Sequence, residues 1–473
     1  MSSPFPHLTP LATQPRKKDQ LIATTIDVAG REARSIQSRV LELAIPAVVE
    51  QLLNMAVGLV DTWLVGHLGA PSVAAVGLSN QAVMLVTAFI SAVATGSTAL
   101  VARHVGAREP RLANRIMQQS FLLAGSIGAF FTLLCLALAE PTMRLLQAQG
   151  EVIPLGATYL QIVAVSFLLT AFMFIGNASL RGAGDTRTPM QVMLLINGVN
   201  IPVAYAFIYG FGPIPAMGVA GSAIGAASAR ALGGLIIVAL LWRGRSGLRL
   251  NLRDFSPDWA QIKRILNIGL PAGGEMMFMR FGQTAFAMVV AGLGTASFAA
   301  HQLALQSESI SFMPGFGFAV AATTLVGQEL GAKNPRRAQE SGYAALRLAI
   351  VVMSAMGLVF FVFAPQFLGF FIDDPEVIGL GITPLRLVAV FQVPLAAAMV
   401  LSGGLRGAGD TRWTMLITAA GLWLLRVPLS LIFTTALGLG LVGAWMAMGV
   451  DLVARGSAAY WRFNNGGWTK LKV

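Results

Sequence analysis

Charge is scarce in this 473-residue chain: Asp, Glu, Lys and Arg together make up 11%, against about a quarter in an ordinary globular domain. A soluble fold of this length cannot cover its surface with so few charges. Cysteine is nearly absent; Cys135 alone excludes an internal disulfide and any cysteine-based metal cluster. It lies in an apolar run and reads as a small buried hydrophobe. No apolar stretch of signal-peptide length precedes Val40, no phosphate-binding Gly/Lys loop occurs, and no zinc spacing or nucleophile constellation is found. Together these absences disfavour ATP hydrolysis and give no sign of a nucleophilic or zinc-based active site. No cofactor is expected.

What is present is hydrophobicity: 55% of residues are apolar and mean hydropathy is +0.70. The chain reads as an integral membrane protein. Its net charge of +12 (33 basic against 21 acidic residues) then points to cationic loops at an anionic leaflet, not to nucleic acid. A crossing helix needs about 20 mostly apolar residues. Residues 62–102 and 188–229 contain no charge and are too long for one helix each. They break at Gly66-His67-Leu68-Gly69-Ala70-Pro71 and at Gly210-Phe211-Gly212-Pro213-Ile214-Pro215. Twelve spans follow, near 40–65, 73–98, 116–139, 153–178, 189–211, 218–242, 265–291, 297–324, 343–364, 378–402, 413–435 and 440–462. Helices are preferred to a barrel, whose strands are about ten residues long and alternate in polarity.

One set of connections holds nearly all the loop arginines and lysines: Arg103 to Arg115, Arg181 and Arg187, Arg243 to Arg264, Lys333 to Arg337, and Arg406 and Arg412. The other set holds Arg144 together with Asp373, Asp374 and Glu376. This asymmetry places both termini in the cytoplasm. Residues 1–39 read as a mobile cytoplasmic tail with a surface helix near Arg31–Arg39, and 463–473 as a second tail.

The chain repeats itself. Leu180-Arg181-Gly182-Ala183-Gly184-Asp185-Thr186-Arg187 recurs as Leu405-Arg406-Gly407-Ala408-Gly409-Asp410-Thr411-Arg412, and the same offset of 225 maps Pro46 to Pro271, Glu50 to Glu275, Gly69 to Gly294 and Gly106-Ala107 to Gly331-Ala332. Each repeat holds six spans. An even number restores the starting side, so the halves share one orientation. The expectation is an N-lobe (40–242), a cytoplasmic linker (243–264) and a C-lobe (265–462), facing each other across a central cleft. Rocking such lobes is a natural transport cycle.

The duplicated Leu-Arg-Gly-Ala-Gly-Asp-Thr-Arg loops, the first helix Ile45-Pro46…Val60-Asp61-Thr62…Gly66, and the Gly-Ala turns resemble the MATE (multidrug and toxic compound extrusion) family over about residues 40–462. The resemblance implies an all-α V-shaped pair of six-helix bundles. It implies export of drugs or organic-cation-like metabolites in exchange for H+ or Na+. Small-molecule substrate and membrane lipids are then the partners, with a monomer expected. Two competing readings stand beside it: a lipid-linked oligosaccharide flippase, which needs Arg230, Arg280 and Arg426 to converge, and an uncoupled channel or scaffold.

Charges inside spans are expensive and are functional candidates by default. Asp61, fifteen residues after Pro46, matches the family's first-helix carboxylate, which implies an ion or proton site. Asn200 matches the asparagine that helps hold the ion. The family's further oxygen ligands fall on Ala204 and Ala226, which favours H+ over Na+; Asn197 is an alternative ligand. Glu50 and Glu275 are candidates for the same coupling. The family's seventh-helix carboxylate falls on Met279, one turn beyond Glu275. The competing reading has Glu50 and Glu275 bonding helix amides freed by Pro46 and Pro271. Arg280 is a candidate partner for Glu275. Arg230, Arg386, Arg426, Glu308 and Asp451 read mostly as structural pairs, and His301 as a hydrogen-bonded core histidine. Met276, Met279, Phe278, Gln302 and Gln306 are candidates to line a substrate cleft, Met277, Phe281, Phe286 and Met288 crowding the same span. Asp185 and Asp410 read as caps of the helices that follow them.

Overall fold

The structure is a computed structural model. It describes residues 17–251 and 255–471, with side chains described from Ile36 onward. Among the described residues no strand forms beyond isolated bridges at Phe211–Ile214 and Arg245–Leu248. The chain folds as α1 (Lys17–Gly66), α2 (Ala70–Gly106), α3 (Pro110–Leu145), α4 (Val152–Val165), α5 (Phe167–Ala183), α6 (Arg187–Tyr209) and α7 (Val219–Arg243). The second half gives α8 (Trp259–Ala291), α9 (Thr295–Gly331), α10 (Pro335–Gly369), α11 (Pro375–Val390), α12 (Gln392–Gly407), α13 (Thr411–Ala420), α14 (Val427–Leu431) and α15 (Gly440–Asn464). Two π-helical segments, Gly421–Arg426 and Ile432–Ala436, flank α14.

These elements make twelve transmembrane helices in two pseudo-symmetric lobes. Eight are single stretches long and apolar enough to cross. Two more are bent pairs: α4–α5 turns by 54° and α11–α12 by 55°. The breaks fall at Ser166 and Phe391, which are 225 residues apart, so the repeat extends to the kinks. Pro394 accounts for the second, because it has no N–H for the Val390 carbonyl; at the first, the Ser166 hydroxyl donates to Val163 O at 2.7 Å. The last two spans, α8 and α15, carry Glu275 with Arg280, and Asp451 with Arg455, in their interiors.

The sequence marks only the apolar part of each helix, so several run longer than expected. Helix α1 begins at Lys17, inside the segment read as a tail, although its apolar span starts at Ile36. Residues 1–16 of that tail lie outside the described residues. Helix α2 continues to Gly106, and α8 starts at Trp259 within the expected linker, capped by the Asp258 carboxylate on Gln261 N. Proline at the first helical positions of α2, α3, α10 and α11 fits where N–H groups lack helical partners anyway.

The lobes meet at the end that carries the arginine-rich connections. Helix α2 packs on α8 and α9, and α1 packs on α9. The contact is backbone to backbone and obeys the repeat: a Cβ at Gly106 would overlap the Gln328 carbonyl, and one at Gly331 would overlap that of Arg103. Only glycine lets the two helices approach so closely. Polar bonds add to it there. Arg39 pairs with Glu329 at 2.8 Å, Thr324 Oγ1 donates to Arg181 O at 2.9 Å, and Gln328 Nε2 donates to Gly182 O at 3.1 Å.

Candidate functional site

The two proline-bearing first helices each present one buried glutamate to their own lobe's duplicated loop. In the first half, Arg181 Nη1 donates to Glu50 at 3.0 and 3.3 Å. In the second, Arg406 Nη1 donates to Glu275 at 3.0 Å. Both glutamates are nearly closed to solvent. The amides near Pro46 and Pro271 are thus not their partners, and Arg280 does not pair with Glu275. The arginine of each loop is 131 residues beyond its glutamate. That shared separation was visible in the repeat as two matched residue types, yet nothing local in the sequence joins them. Glu275 also accepts from Thr414 Oγ1 at 2.9 Å and Thr418 Oγ1 at 3.1 Å. The corresponding positions of the first half are Pro189 and Met193, so Glu50 has its guanidinium alone.

The loop aspartates diverge. Asp185 caps α6 as expected, accepting from Thr188 N at 2.9 Å. Burial pushes its carboxyl up, but bonds from Ser246 and Thr188 and the charge of Arg245 outweigh that and hold it below the ordinary carboxylate value. Asp410 does not cap α13; its carboxylate accepts from Arg462 Nε at 2.8 Å instead. Burial raises its carboxyl above the ordinary value, and Arg462 offsets this only in part. The reason for the lost cap is competition: Arg462, lying on the Trp413 ring with 4.9 Å between guanidinium carbon and ring centre, draws the carboxylate away.

Asp61 lies five residues before the end of α1 that is far from the lobe contact. It is partly buried and accepts no hydrogen bond from the described residues. The charges of Asp61 and Arg230 of α7 act on each other, and both act on buried Tyr159 of α4. Asp61 therefore belongs to the interior of its lobe. Arg230 Nη1 is buried without a hydrogen-bond partner. Asn197, Asn200 and Ala204 share one face of α6 by their three- and four-residue spacing. Asn197 Nδ2 donates to Leu53 O of α1 at 2.8 Å, and Ala204 packs with Leu64 and Val60. Asn200 is thus set against α1 between those levels, and its Oδ1 is buried and unpartnered.

The second lobe holds a different charge cluster. Asp451 of α15 is fully buried and binds two guanidiniums: Arg426 through Nε at 2.9 Å and Nη2 at 2.7 Å, and Arg455 through Nε and Nη2, both at 2.8 Å. Arg426 and Asp451 are thus a structural pair. Glu308, also read as a pair, forms no ion pair, and its carboxylate accepts no hydrogen bond among the described residues. Arg455 was missed in the sequence, though it is the repeat partner of Arg230. Arg386 bonds Phe361 O at 3.2 Å and lies over that ring. His301 is buried among Phe286, Phe298 and Trp445, and its Nδ1 has no hydrogen-bond partner, which corrects the hydrogen-bonded reading.

Of the cleft candidates, Phe278, Gln302 and Gln306 are exposed and Met276 and Met279 half-buried. The arginines required for a cationic cleft do not converge: Arg426 is committed to Asp451, while Arg230 acts on Asp61 in the other lobe. Among the described residues no cluster of three or more His, Cys, Asp or Glu side chains is arranged to hold a metal ion.

A duplicated helical bundle, its halves meeting at one end and its charges held inside spans, is the architecture of a membrane transporter. The chain belongs to the MatE family, whose model matches residues 46–206 and 271–432, one match per repeat. It is 32% identical over 443 residues to the "Probable multidrug resistance protein NorM" of Thermotoga maritima, covering 93% of this chain and 95% of that one. It is 28% identical over 405 residues to the multidrug resistance protein PmpM of Pseudomonas aeruginosa, covering 84% of each. A solved MOP superfamily transporter from Pyrococcus furiosus, described as having a binding pocket of reverse polarity, superimposes with a TM-score of 0.84 at 26% identity over 92% of this chain and 97% of that one. An outward-facing multidrug resistance MATE transporter gives 0.84 at 27% identity over 91% and 95%. The protein is a multi-pass membrane transporter of the drug-efflux type and not an enzyme.

Proposed function

We propose that the protein exports small organic molecules across the cell's inner membrane in exchange for protons, its lobes (40–242 and 265–462, joined by 243–264) rocking to open alternate ends. Both termini and the arginine-rich end face the cytoplasm, as the loop-charge asymmetry requires. With the lobes meeting at that end, the form described above opens outward. Asp61 carries the proton, Asn200 supports it, and Glu50 and Glu275 hold the gating loops through Arg181 and Arg406.

The observation that carries this reading is Asp61: a carboxylate within a span, turned into its lobe, with no hydrogen bond from the described residues to fix its charged form. Such a group exchanges a proton at little structural cost. Sodium wants about six oxygens by analogy with hard-cation sites. Ala204 and Ala226 supply no side-chain oxygen where the family places one, which supports H+.

The test is ethidium export from energised membrane vesicles. Collapse of the proton gradient is expected to stop export while removal of Na+ leaves it, and Asp61→Asn is expected to export at least ten-fold more slowly. Export by Asp61→Asn at the wild-type rate would remove Asp61 from the mechanism; export abolished by Na+ removal alone would replace the proton by sodium.

A further inference from the structure

We infer that the segment following α15, from Gly467 to Leu471, is a strap that locks the arginine-rich ends of the two lobes together, fastened to the second lobe by Trp468 and caught by Arg103 of the first. This role rests on the rocking cycle proposed above.

The fastening is built like a core. Gly466, in the left-handed region at φ 65°, turns the chain back after α15. Gly467–Lys470 then forms a 3-10 turn in which Thr469 donates to Gly466 O from its amide at 3.0 Å and from its hydroxyl at 2.7 Å. Trp468 is fully buried. Its ring stacks on Phe463 with 4.7 Å between centres, and its Nε1 donates to Phe463 O at 2.7 Å. Phe463 fills the space left by Gly342 of α10 and Gly404 of α12, where a Cβ would press on its ring. Leu471 packs on the same core. A buried tryptophan is costly to withdraw, so the segment moves with the second lobe.

The catch crosses to the other lobe. Arg103 Nη2, near the end of α2, donates to Leu471 O at 3.0 Å. The guanidinium depends on that carbonyl, since its Nη1 is buried without a hydrogen-bond partner. With the donor carried by one lobe and the acceptor by the other, the bond exists only while the lobes are together. Charged donors make the stronger hydrogen bonds, so its loss on opening weighs on the balance between closed and separated ends.

The repeat shows that the contact is not a by-product of duplication. The counterpart of Arg103 is Gln328, whose Nε2 donates across the lobes to Gly182 O. The same offset would send Arg103 to Gly407; it takes Leu471 instead. In the first half the stretch equivalent to 467–471 is 242–246, and it stays with its own lobe, Ser246 Oγ donating to Asp185 at 2.6 Å. The closed end is thus tied in both directions, by a loop carbonyl of the first lobe and by the strap of the second.

The experiment is a spin-label distance measurement across the closed end of the whole chain in detergent, with labels on Arg111→Cys and Arg336→Cys in a Cys135→Ala background. Both positions are exposed and equivalent in the repeat. Arg103→Ala is expected to raise the ratio of long to short distances about ten-fold, the factor that one hydrogen bond from a charged donor carries. Trp468→Ala is expected to do the same, and the two together no more than either. An unchanged distribution in Arg103→Ala overturns the inference, and so does a double variant whose shift is the product of the two singles. Should Trp468→Ala not fold, Arg103→Ala decides alone. Gly106→Leu, which wedges the lobes apart, separates the two readings. A longer distance there with none in Arg103→Ala removes the strap and keeps the rocking; no change in either removes both.

Discussion

The N-terminal lobe keeps its unbonded carboxylate, Asp61, on its first helix, beside an arginine with an unpartnered nitrogen. The C-terminal lobe fills that first-helix position with Phe286 and sets its charge cluster on the π-helical segment and α15. Yet the backbones agree in detail. The broken spans bend by 54° and 55° at positions 225 residues apart, and each first-helix glutamate takes a 3.0 Å bond from its own loop arginine. Duplication has preserved what packing needs and released what chemistry uses. A backbone kink is shared by every neighbour packed on it, whereas a side-chain charge needs only a local partner.

The comparison is broken most sharply at Asp451. Asp451→Asn leaves two buried guanidiniums short of a counter-charge and should cost about 3–5 kcal/mol. Thermal unfolding in detergent should show it as a large fall in midpoint. The Ala226→Asp change at the corresponding N-lobe position should rescue nothing in that variant. A midpoint within a degree of wild type for Asp451→Asn would mean that the cluster is solvated and the lobes are less different than described.

The glutamates give a finer contrast. Glu50→Gln loses one guanidinium bond to charge, about 2 kcal/mol, while Glu275→Gln also weakens two hydroxyl bonds and should cost about 1 kcal/mol more. Denaturation of both variants measures the difference. A larger loss for Glu50→Gln would reverse the ranking.

The smallest expected effect is the pH slope of the two loops. The Asp185 carboxyl is held below its ordinary 3.8, so its stabilisation is complete above that pH and is lost as pH falls through the depressed value. The Asp410 carboxyl is raised above 3.8, so its contribution is present below that pH and declines as pH rises through the raised value. Unfolding midpoints followed from pH 7 into the acid range should therefore fall less steeply in Asp185→Asn than in wild type, and more steeply in Asp410→Asn. Parallel slopes would mean that the two loops are electrostatically alike.

Much of this was legible in residues read in order. The charge-free runs and the Gly/Pro breaks give the spans, and the offset of 225 gives the halves. The Gly66–Pro71 break lies where α1 ends and α2 begins. The partners of Glu50 and Glu275 were not legible. A carboxylate 131 residues from its arginine is chosen by how the α5–α6 turn is set against α1 and the α12–α13 turn against α8, where α6 and α13 pack, and helix periodicity says nothing about that. The same holds for Asp410, whose cap was predicted from local spacing but yields to Arg462, brought in by α15. The first π-helical segment was invisible because it sets Gly421 against Asp451 and Arg455, a contact between distant spans.

What the sequence determined by itself is that the chain crosses a membrane twelve times in two like-oriented halves, since hydrocarbon admits no unpaired backbone and reads only the length and polarity of each run. What only the tertiary structure decided is which buried charge faces which. Inside a membrane that choice is settled by distance and by the supply of hydrogen-bond donors, and both are properties of packed helices, not of neighbours in the chain.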